Sequence, residues 1–111
     1  MNHEKLDVLQ GTLELLILRT LQRGPQHGHG IGQAIRAKSD ELLQVEHGSL
    51  YPALHRLRRE GLIESEWGVS DNNQRAKFYR LTQAGKKKLV AEESKWKLFV
   101  KAVAKVLRTQ E

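Results

Sequence analysis

The stretch that decides the fold is Gly48–Thr82, GSLYPALHRLRREGLIESEWGVSDNNQRAKFYRLT. Its first apolar residues recur with the spacing of one helix face, at Leu50, Ala53, Leu54 and Leu57. Gly61 is typical of a helix end, and beyond it apolar residues alternate with polar ones. The polar run 70–74 divides this alternating part in two and has the composition of a turn. The stretch therefore predicts one helix followed by a β-hairpin.

The residues before this stretch predict two more helices. One runs from about Leu9 to Leu21 and ends at Gly24-Pro25, and the other runs from Ile31 to about Lys38. In the first of these helices, Leu15 and Leu18 lie off the main apolar face and form a second apolar strip. That strip needs its own packing partner, and in so short a chain the partner can be a second subunit.

After the hairpin, Thr82 suits a helix N-cap, and a helix is predicted almost to the C-terminus with only Gly85 as an interruption. The element order is therefore helix, helix, helix, hairpin, long helix. This order predicts a mainly α fold with a small β-hairpin, a winged helix-turn-helix extended by a long C-terminal helix. We assign residues 1–82 to the winged helix-turn-helix and residues 83–111 to the C-terminal helix, within one structural domain. Trp67, at the end of the first hairpin strand, is expected in the core.

Basic residues are concentrated in the second half of the chain. Residues 1–55 contain five Lys/Arg and six Asp/Glu, whereas residues 56–111 contain fourteen and seven. The two halves therefore carry formal net charges of −1 and +7. This asymmetry indicates a polyanionic partner, although a solvated basic surface would have the same composition.

Composition and motifs argue against several other classes of protein. The chain has no cysteine, which excludes disulfides, thiolate catalysis and cysteine-based zinc sites. No apolar run is long enough to span a membrane and no signal-type segment follows Met1, so a cytoplasmic location is expected. His27, His29 and His47 lack the neighbouring ligands of a metal site, and no acid or nucleophile elbow accompanies Ser49. We therefore expect no metal, no cofactor and no enzymatic activity.

The helix that begins near Ser49 has the features of a DNA-recognition helix. Such a helix needs an apolar inner stripe that fixes it on the scaffold and polar residues at its exposed N-terminal end. Pro52 is compatible with this position because proline, which lacks a backbone N–H, is tolerated in a first turn. The candidate DNA contacts are His47, Ser49, Tyr51, Pro52, His55 and Arg56 on the helix and Arg75 and Lys77 beside the hairpin turn.

The same residues also allow a structural interpretation. Arg56 and the adjacent Arg58 and Arg59 could form a solvated helix face, and Tyr51 could be a half-buried ring that packs the helix. Some winged helices bind proteins instead of DNA. A protein–protein interaction module is therefore the alternative function.

The C-terminal helix carries an apolar stripe that a winged domain of about 80 residues is too small to cover. The stripe consists of Leu89, Trp96, Phe99, Val100, Val103 and Leu107. We expect it to form a homodimer interface around a twofold axis, joined by Leu15 and Leu18. Paired indoles at that interface could stack on a flat aromatic ligand, which gives a candidate ligand site of Trp96, Leu15, Leu18 and Val100. Plain interface packing of Trp96 is the alternative.

Five segments closely resemble the signature of the PadR family of bacterial transcriptional regulators. They are residues 11–13 (GTL), 28–31 (GHGI), 48–57 (GSLYPALHRL), 60–63 (EGLI) and 75–82 (RAKFYRLT), the last followed by Gly85. The likeness extends over about residues 6–107 and rests on the combination of segments. His29 stands where many members have tyrosine. The chain also looks like the short-tailed branch, with one C-terminal dimerisation helix, and like members encoded beside ABC-type export permeases.

This resemblance implies a homodimeric repressor that binds a double-stranded DNA operator. The affinity of such a repressor for DNA can fall when it binds a small, often aromatic, molecule. In the family, the recognition-helix Ser/Thr and Tyr contact DNA, which corresponds to Ser49 and Tyr51 here. Basic wing residues approach phosphate, which corresponds to Arg75 and Lys77. Transport or efflux genes are the implied targets.

Overall fold

The computed structural model describes residues 6–7 and 11–108. Within these residues there are four helices, α1 (Thr12–Leu21), α2 (Gly28–Lys38), α3 (His47–Arg59) and α4 (Gln83–Leu107). The strands are β1 (Leu6–Asp7), β2 (Gln26–His27), β3 (Leu43–Gln44), β4 (Ile63–Val69) and β5 (Arg75–Leu81). This order confirms the predicted winged helix-turn-helix with a long C-terminal helix. The predicted start of the first helix, at about Leu9, lies outside the described residues.

The β4–β5 hairpin is the larger part of a three-stranded antiparallel sheet in the order β2-β5-β4. Its register pairs Ile63 with Leu81 at the base and Val69 with Arg75 beside the turn. Strand β2 pairs with the other edge of β5 and so ties the segment before α2 to the hairpin. Strands β1 and β3 form a separate parallel pair. The sequence did not predict β1, β2 or β3, because strands of two residues have no hydrophobic period.

One core joins all four helices and the base of the hairpin. Its buried residues are Leu13, Ile17, Leu18, Leu21, Ile31, Ile35, Val45, Leu50, Ala53, Leu54, Leu57, Leu62, Ile63, Tyr79 and Leu89. Leu18 is 1% exposed, which corrects its assignment to a surface strip for a second subunit or a ligand. It lies one turn from Leu21 and beside Ile17, so the apolar face of α1 is wide enough to include it. Leu15 and Leu16 are partly buried against the same core.

Helix α3 begins two residues before Ser49, at His47, with Glu46 as its N-cap. Pro52 therefore lies in the second turn, where its ring nitrogen cannot donate to the carbonyl of Gly48. The C-terminal end is as predicted, because Gly61 adopts a left-handed φ of 76°. This conformation lets Leu62 N–H donate to Leu57 C=O and Gly61 N–H donate to Arg58 C=O, each at 3.0 Å.

Helix α4 starts at the predicted cap, where Thr82 Oγ1 accepts from Gly85 N–H at 3.0 Å and donates to Gly61 C=O at 2.7 Å. Its first turns pack on the core through Leu89, which is 1% exposed. The assignment of Leu89 to a dimer interface is therefore wrong, since its side chain is covered by the chain itself. No helix among residues 11–108 is both long and apolar enough to cross a membrane.

Candidate nucleic-acid interface

Helix α3 separates its buried and exposed residues as a recognition helix requires. Leu50, Ala53, Leu54 and Leu57 are buried and fix the helix on the scaffold. The predicted contacts on the opposite side are all exposed, namely His47, Ser49, Tyr51, Pro52, His55 and Arg56. The buried apolar stripe thus fixes the orientation of α3, and the polar side chains at its N-terminal end face solvent.

Tyr51 is held in place by the first residue of α2. Tyr51 is 37% exposed, and its ring lies directly over Gly28, where a Cβ would be 2.7 Å from the Tyr51 hydroxyl oxygen and 2.8 Å from Cε1. Any larger residue at position 28 would have to displace this ring. Gly28 therefore positions Tyr51, and the tyrosine is neither a free surface side chain nor part of the core.

Aromatic rings connect the tip of α3 to the hairpin. From Tyr51, successive ring centroids are separated by 5.7 Å to His47, 6.2 Å to His29 and 6.4 Å to His27, and 5.4 Å then separate His27 from Phe78. His27 also caps α2, because its Nδ1 accepts from Gly30 N–H at 3.0 Å. Within residues 6–7 and 11–108, no group of three histidine or carboxylate side chains is arranged to hold a metal ion.

The hairpin tip presents two cations on an exposed tryptophan. The Arg75 guanidinium carbon lies 4.6 Å from the centroid of the Trp67 ring, and Lys77 Nζ lies 5.5 Å from it. Trp67 is 57% exposed, so its expected burial is wrong. The alternation was correct, since Trp67 shares a face with the buried Ile63, but the hairpin extends beyond the core at position 67.

The opposite face of the hairpin has a different charge pattern. There Arg80 pairs with Glu64 at 3.6 Å, whereas neither Arg75 nor Lys77 forms an ion pair with any described residue. A polar groove of about 330 Å³ runs between the start of α2 and the hairpin turn, lined by His27, His29, Gln33 and residues of the range 70–76. Of the two unpaired cations, Arg75 therefore borders this concave polar surface.

Arg56 is the exception among the predicted contacts. Its Nε donates to Glu14 Oε2 on α1 at 2.9 Å. This pair directs the guanidinium toward the scaffold, which favours the structural interpretation of Arg56. The neighbouring Arg58 and Arg59 are exposed and form no ion pair with described residues.

Tyr79 anchors the base of the hairpin below α3. It is buried, and burial raises its pKa above the ordinary tyrosine value; nearby Tyr51 adds to the rise and Arg58 opposes it. The phenol is therefore neutral at physiological pH. A neutral ring at this point lets the hairpin pack on α3 without placing a charge in the core.

Most of the predicted dimer surface on α4 is open. Its exposed large apolar residues are Val90, Trp96, Leu98, Phe99, Val100, Val103, Val106 and Leu107. Trp96 is 37% exposed, and its ring lies 5.8 Å from that of Phe99. Lys88 and Lys95 flank Glu92 at 3.3 Å each, and the hydrogen bond from Lys95 is the largest cause that lowers the pKa of Glu92. On the polar side of α4 only Lys88 and Lys95 are paired with a carboxylate among the described residues, and the apolar side is uncovered within this chain.

Sequence reasoning missed two residues of this surface, His29 and Trp67. A turn at 70–74 places position 67 opposite position 77 across the hairpin, and the register agrees. The contact of Trp67 with Lys77 could therefore have been predicted from the sequence. The approach of His29 to His47 depends on how α2 and α3 pack, for which the sequence contains no local signal.

Comparison with known proteins identifies relatives over most of the chain. A family model described as the transcriptional regulator PadR-like family matches residues 17–91. A transcriptional regulator of Mycobacterium tuberculosis is 35% identical over 83 residues, which are 75% of this chain and 74% of that protein. The negative transcriptional regulator PadR of Bacillus subtilis is 29% identical over 77 residues, which are 69% of this chain but 42% of that protein.

Solved structures are similar over nearly the whole fold. A transcriptional regulator from Clostridium thermocellum has a TM-score of 0.79 at 33% identity and covers 86% of this chain and 93% of its own. A PadR family transcription regulator from Clostridium difficile has a TM-score of 0.75 at 28% identity and covers 87% and 99%. With the family model matching more than half of its residues, this chain belongs to the PadR-like family of transcriptional regulators.

Proposed function

We propose that this protein is a sequence-specific DNA-binding repressor that acts as a homodimer. In this proposal α3 enters the major groove and the β4–β5 hairpin is a wing on the neighbouring backbone. The observation that carries it is the exposed outer face of α3 next to unpaired wing cations. Membership of a family of transcriptional regulators supports the same conclusion.

The proposed contacts differ in what they contribute. Tyr51, with the neighbouring His47, Ser49, Pro52 and His55, would face bases and backbone in the major groove. Arg75 and Lys77 would contact phosphate, which supplies affinity without sequence discrimination. We leave Arg56 out of this set because Glu14 already binds its guanidinium.

The proposed homodimer uses residues 83–111 as its dimerisation helix and residues 1–82 as its DNA-binding part. The uncovered apolar side of α4 supports this division, because such a surface is a liability in a monomer. The proposed interface consists of Trp96, Phe99, Val100, Val103 and Leu107, without Leu89. A twofold axis would place two α3 helices on the two halves of a pseudo-palindromic operator.

We further propose that a flat aromatic effector binds between the subunits beside Trp96 and Val100, near the partly buried Leu15. The exposed indole, close to Phe99, supports this site. Leu18 is excluded from it by burial. The resemblance to short-tailed members beside ABC-type permeases supports transport or efflux genes as targets, and genome-wide mapping of bound DNA would identify them.

The salt dependence of duplex binding tests the proposed function. A duplex selected from random sequence is titrated by fluorescence anisotropy at several salt concentrations. We expect the logarithm of the affinity to fall linearly with the logarithm of salt, because phosphate contacts release counterions. A protein–protein interaction module would instead select no duplex, and its weak residual binding would not discriminate between sequences.

A further inference from the structure

A second concave surface lies on the scaffold, between α1 and α2. This α1–α2 groove has a volume of about 320 Å³, at the small end of the range of ligand sites. Its lining residues are Leu16, Arg19, Thr20, Arg23, Ala34, Ile35, Lys38, Ser39 and Leu43. None of them belongs to α3, the hairpin or α4, so the groove is distinct from the proposed DNA and dimer surfaces.

The floor of the groove is apolar. Ile35 is buried and Leu16 and Leu43 are partly buried against the core. The two hydroxyl groups that line the groove already donate to backbone, Thr20 to Leu16 C=O at 2.8 Å and Ser39 to Arg36 C=O at 3.1 Å. The bottom of the groove therefore offers a ligand a hydrocarbon surface, and neither hydroxyl hydrogen there is free to bind the ligand.

The rim of the groove is positively charged. Arg19, Arg23 and Lys38 line it, and no acidic side chain of the described residues does. None of the three forms an ion pair with a described residue, and the hydrogen-bond partner of Arg19 is the neutral amide of Gln22. The three cations line one groove without a counter-charge among the described residues, so an anion placed there would be attracted by each of them.

We propose that the α1–α2 groove binds a small amphipathic anion. The ligand has a compact aromatic or branched hydrocarbon body, which lies on Leu16, Ile35 and Leu43, and one carboxylate or sulfonate, which the rim cations bind. Charge complementarity favours this occupant over α4 of a second copy. The exposed half of α4 carries Lys95, Lys97, Lys101 and Lys105, and these lysines would add like charge to the rim.

The proposal is tested with 1-naphthoate as an anionic probe and 1-naphthylmethanol as its neutral counterpart. Calorimetric titration of the wild-type protein should show naphthoate binding that is at least about tenfold tighter than that of the alcohol, the scale of one charge-assisted hydrogen bond. The variant Arg23→Gln/Lys38→Gln should lose about this factor. The matched variant Arg58→Gln/Arg59→Gln has the same net charge as Arg23→Gln/Lys38→Gln. It should bind naphthoate like wild type.

A measurement on the wild-type protein keeps the test independent of how the variants fold. In methyl NMR spectra, naphthoate should shift the signals of Leu16, Ile35 and Leu43 at concentrations at which the neutral alcohol does not. Binding beside Trp96 is read separately from the signals of Val100 and Val103. Equal loss in both charge variants, equal binding of acid and alcohol, or shifts confined to α4 would each overturn the proposal. It does not depend on DNA binding, so the two proposals succeed or fail separately.

Discussion

The exposure and packing of Tyr51 support its proposed role in DNA binding. A ring that served only packing would be covered, yet Tyr51 is more than one third exposed while Gly28 fixes its position. We expect Tyr51→Ala to weaken operator binding and to change the free energy of unfolding by no more than about 1–2 kcal/mol, the ordinary range for single substitutions. Parallel losses of stability and binding would instead support the packing interpretation.

Gly28 provides a matched test of the same contact. Gly28→Ala adds a methyl group at the position of the Tyr51 ring, so it should weaken operator binding in the wild-type background. In the Tyr51→Ala background the methyl group has room, and the second substitution should have no further effect on binding. A double-mutant cycle measures this coupling. Additive losses would show that Gly28 acts independently of the ring.

The wing cations should contribute affinity and no sequence discrimination. Arg75→Ala and Lys77→Ala should each weaken binding to all duplexes equally and lower the salt slope by about one unit. Trp67→Leu keeps the charge but removes the ring that holds both cations, so it should weaken binding as well. Arg80→Ala is the control, because Arg80 pairs with Glu64 on the opposite face. A salt slope that changes only in Arg80→Ala would contradict the assignment.

At the scale of single residues, the sequence patterns predicted which side chains are exposed better than which side chains contact each other. The helical stripe of α3 correctly separated Leu50 and Leu54 from Tyr51. It could not predict that Arg56 reaches Glu14, because that contact joins residues 42 positions apart in the sequence. Trp67 was misassigned because alternation identifies a face of a strand, not the distance to which the core extends along it.

At the scale of elements, α4 has two parts with different roles. Leu89 belongs to the core of the chain, and the uncovered apolar side begins beyond it. Replacing Val100 and Val103 with Glu should give monomers in sedimentation experiments and strongly weaken operator binding, since charges would be buried at the interface. Lys101→Glu is a charge-matched control on the same helix and should stay dimeric. A wild-type protein that sediments as a monomer at micromolar concentration would contradict this prediction.

The elements themselves were largely predictable from the sequence. The stripes of α2 and α3, the turn of the hairpin and the cap at Thr82 are local signals that agree with the structure. The apolar face of α1 also includes Leu18, and α2 begins at Gly28, three residues before its predicted start. The start of α3 was misplaced because the sequence suggested that Pro52 occupies a first turn, whereas the helix continues through it. Strands β1 to β3 depend on pairing partners far away in sequence, so no local pattern predicts them.

At the scale of the whole molecule, an effector beside Trp96 can control DNA binding only through the arrangement of the two subunits. Such a ligand must bind free and DNA-bound dimers with different affinities. A coupling of about 1–3 kcal/mol, the usual allosteric range, would weaken operator binding roughly 5- to 150-fold. Planar dyes should quench Trp96 in a Trp67→Phe background and release the operator in parallel. Quenching that leaves operator affinity unchanged would make Trp96 a packing residue.

The central claim is that a dimer places two α3 helices in successive major grooves. The chain has no cysteine, so Ser49→Cys creates a single thiol at the tip of α3 to which an iron chelate can be attached. On the selected duplex, hydroxyl radicals from this chelate should cleave two clusters of positions, related by a twofold axis and separated by about one helical turn, 10–10.5 base pairs, or a multiple of it. A single cluster, or uniform cleavage along the duplex, would contradict the claim.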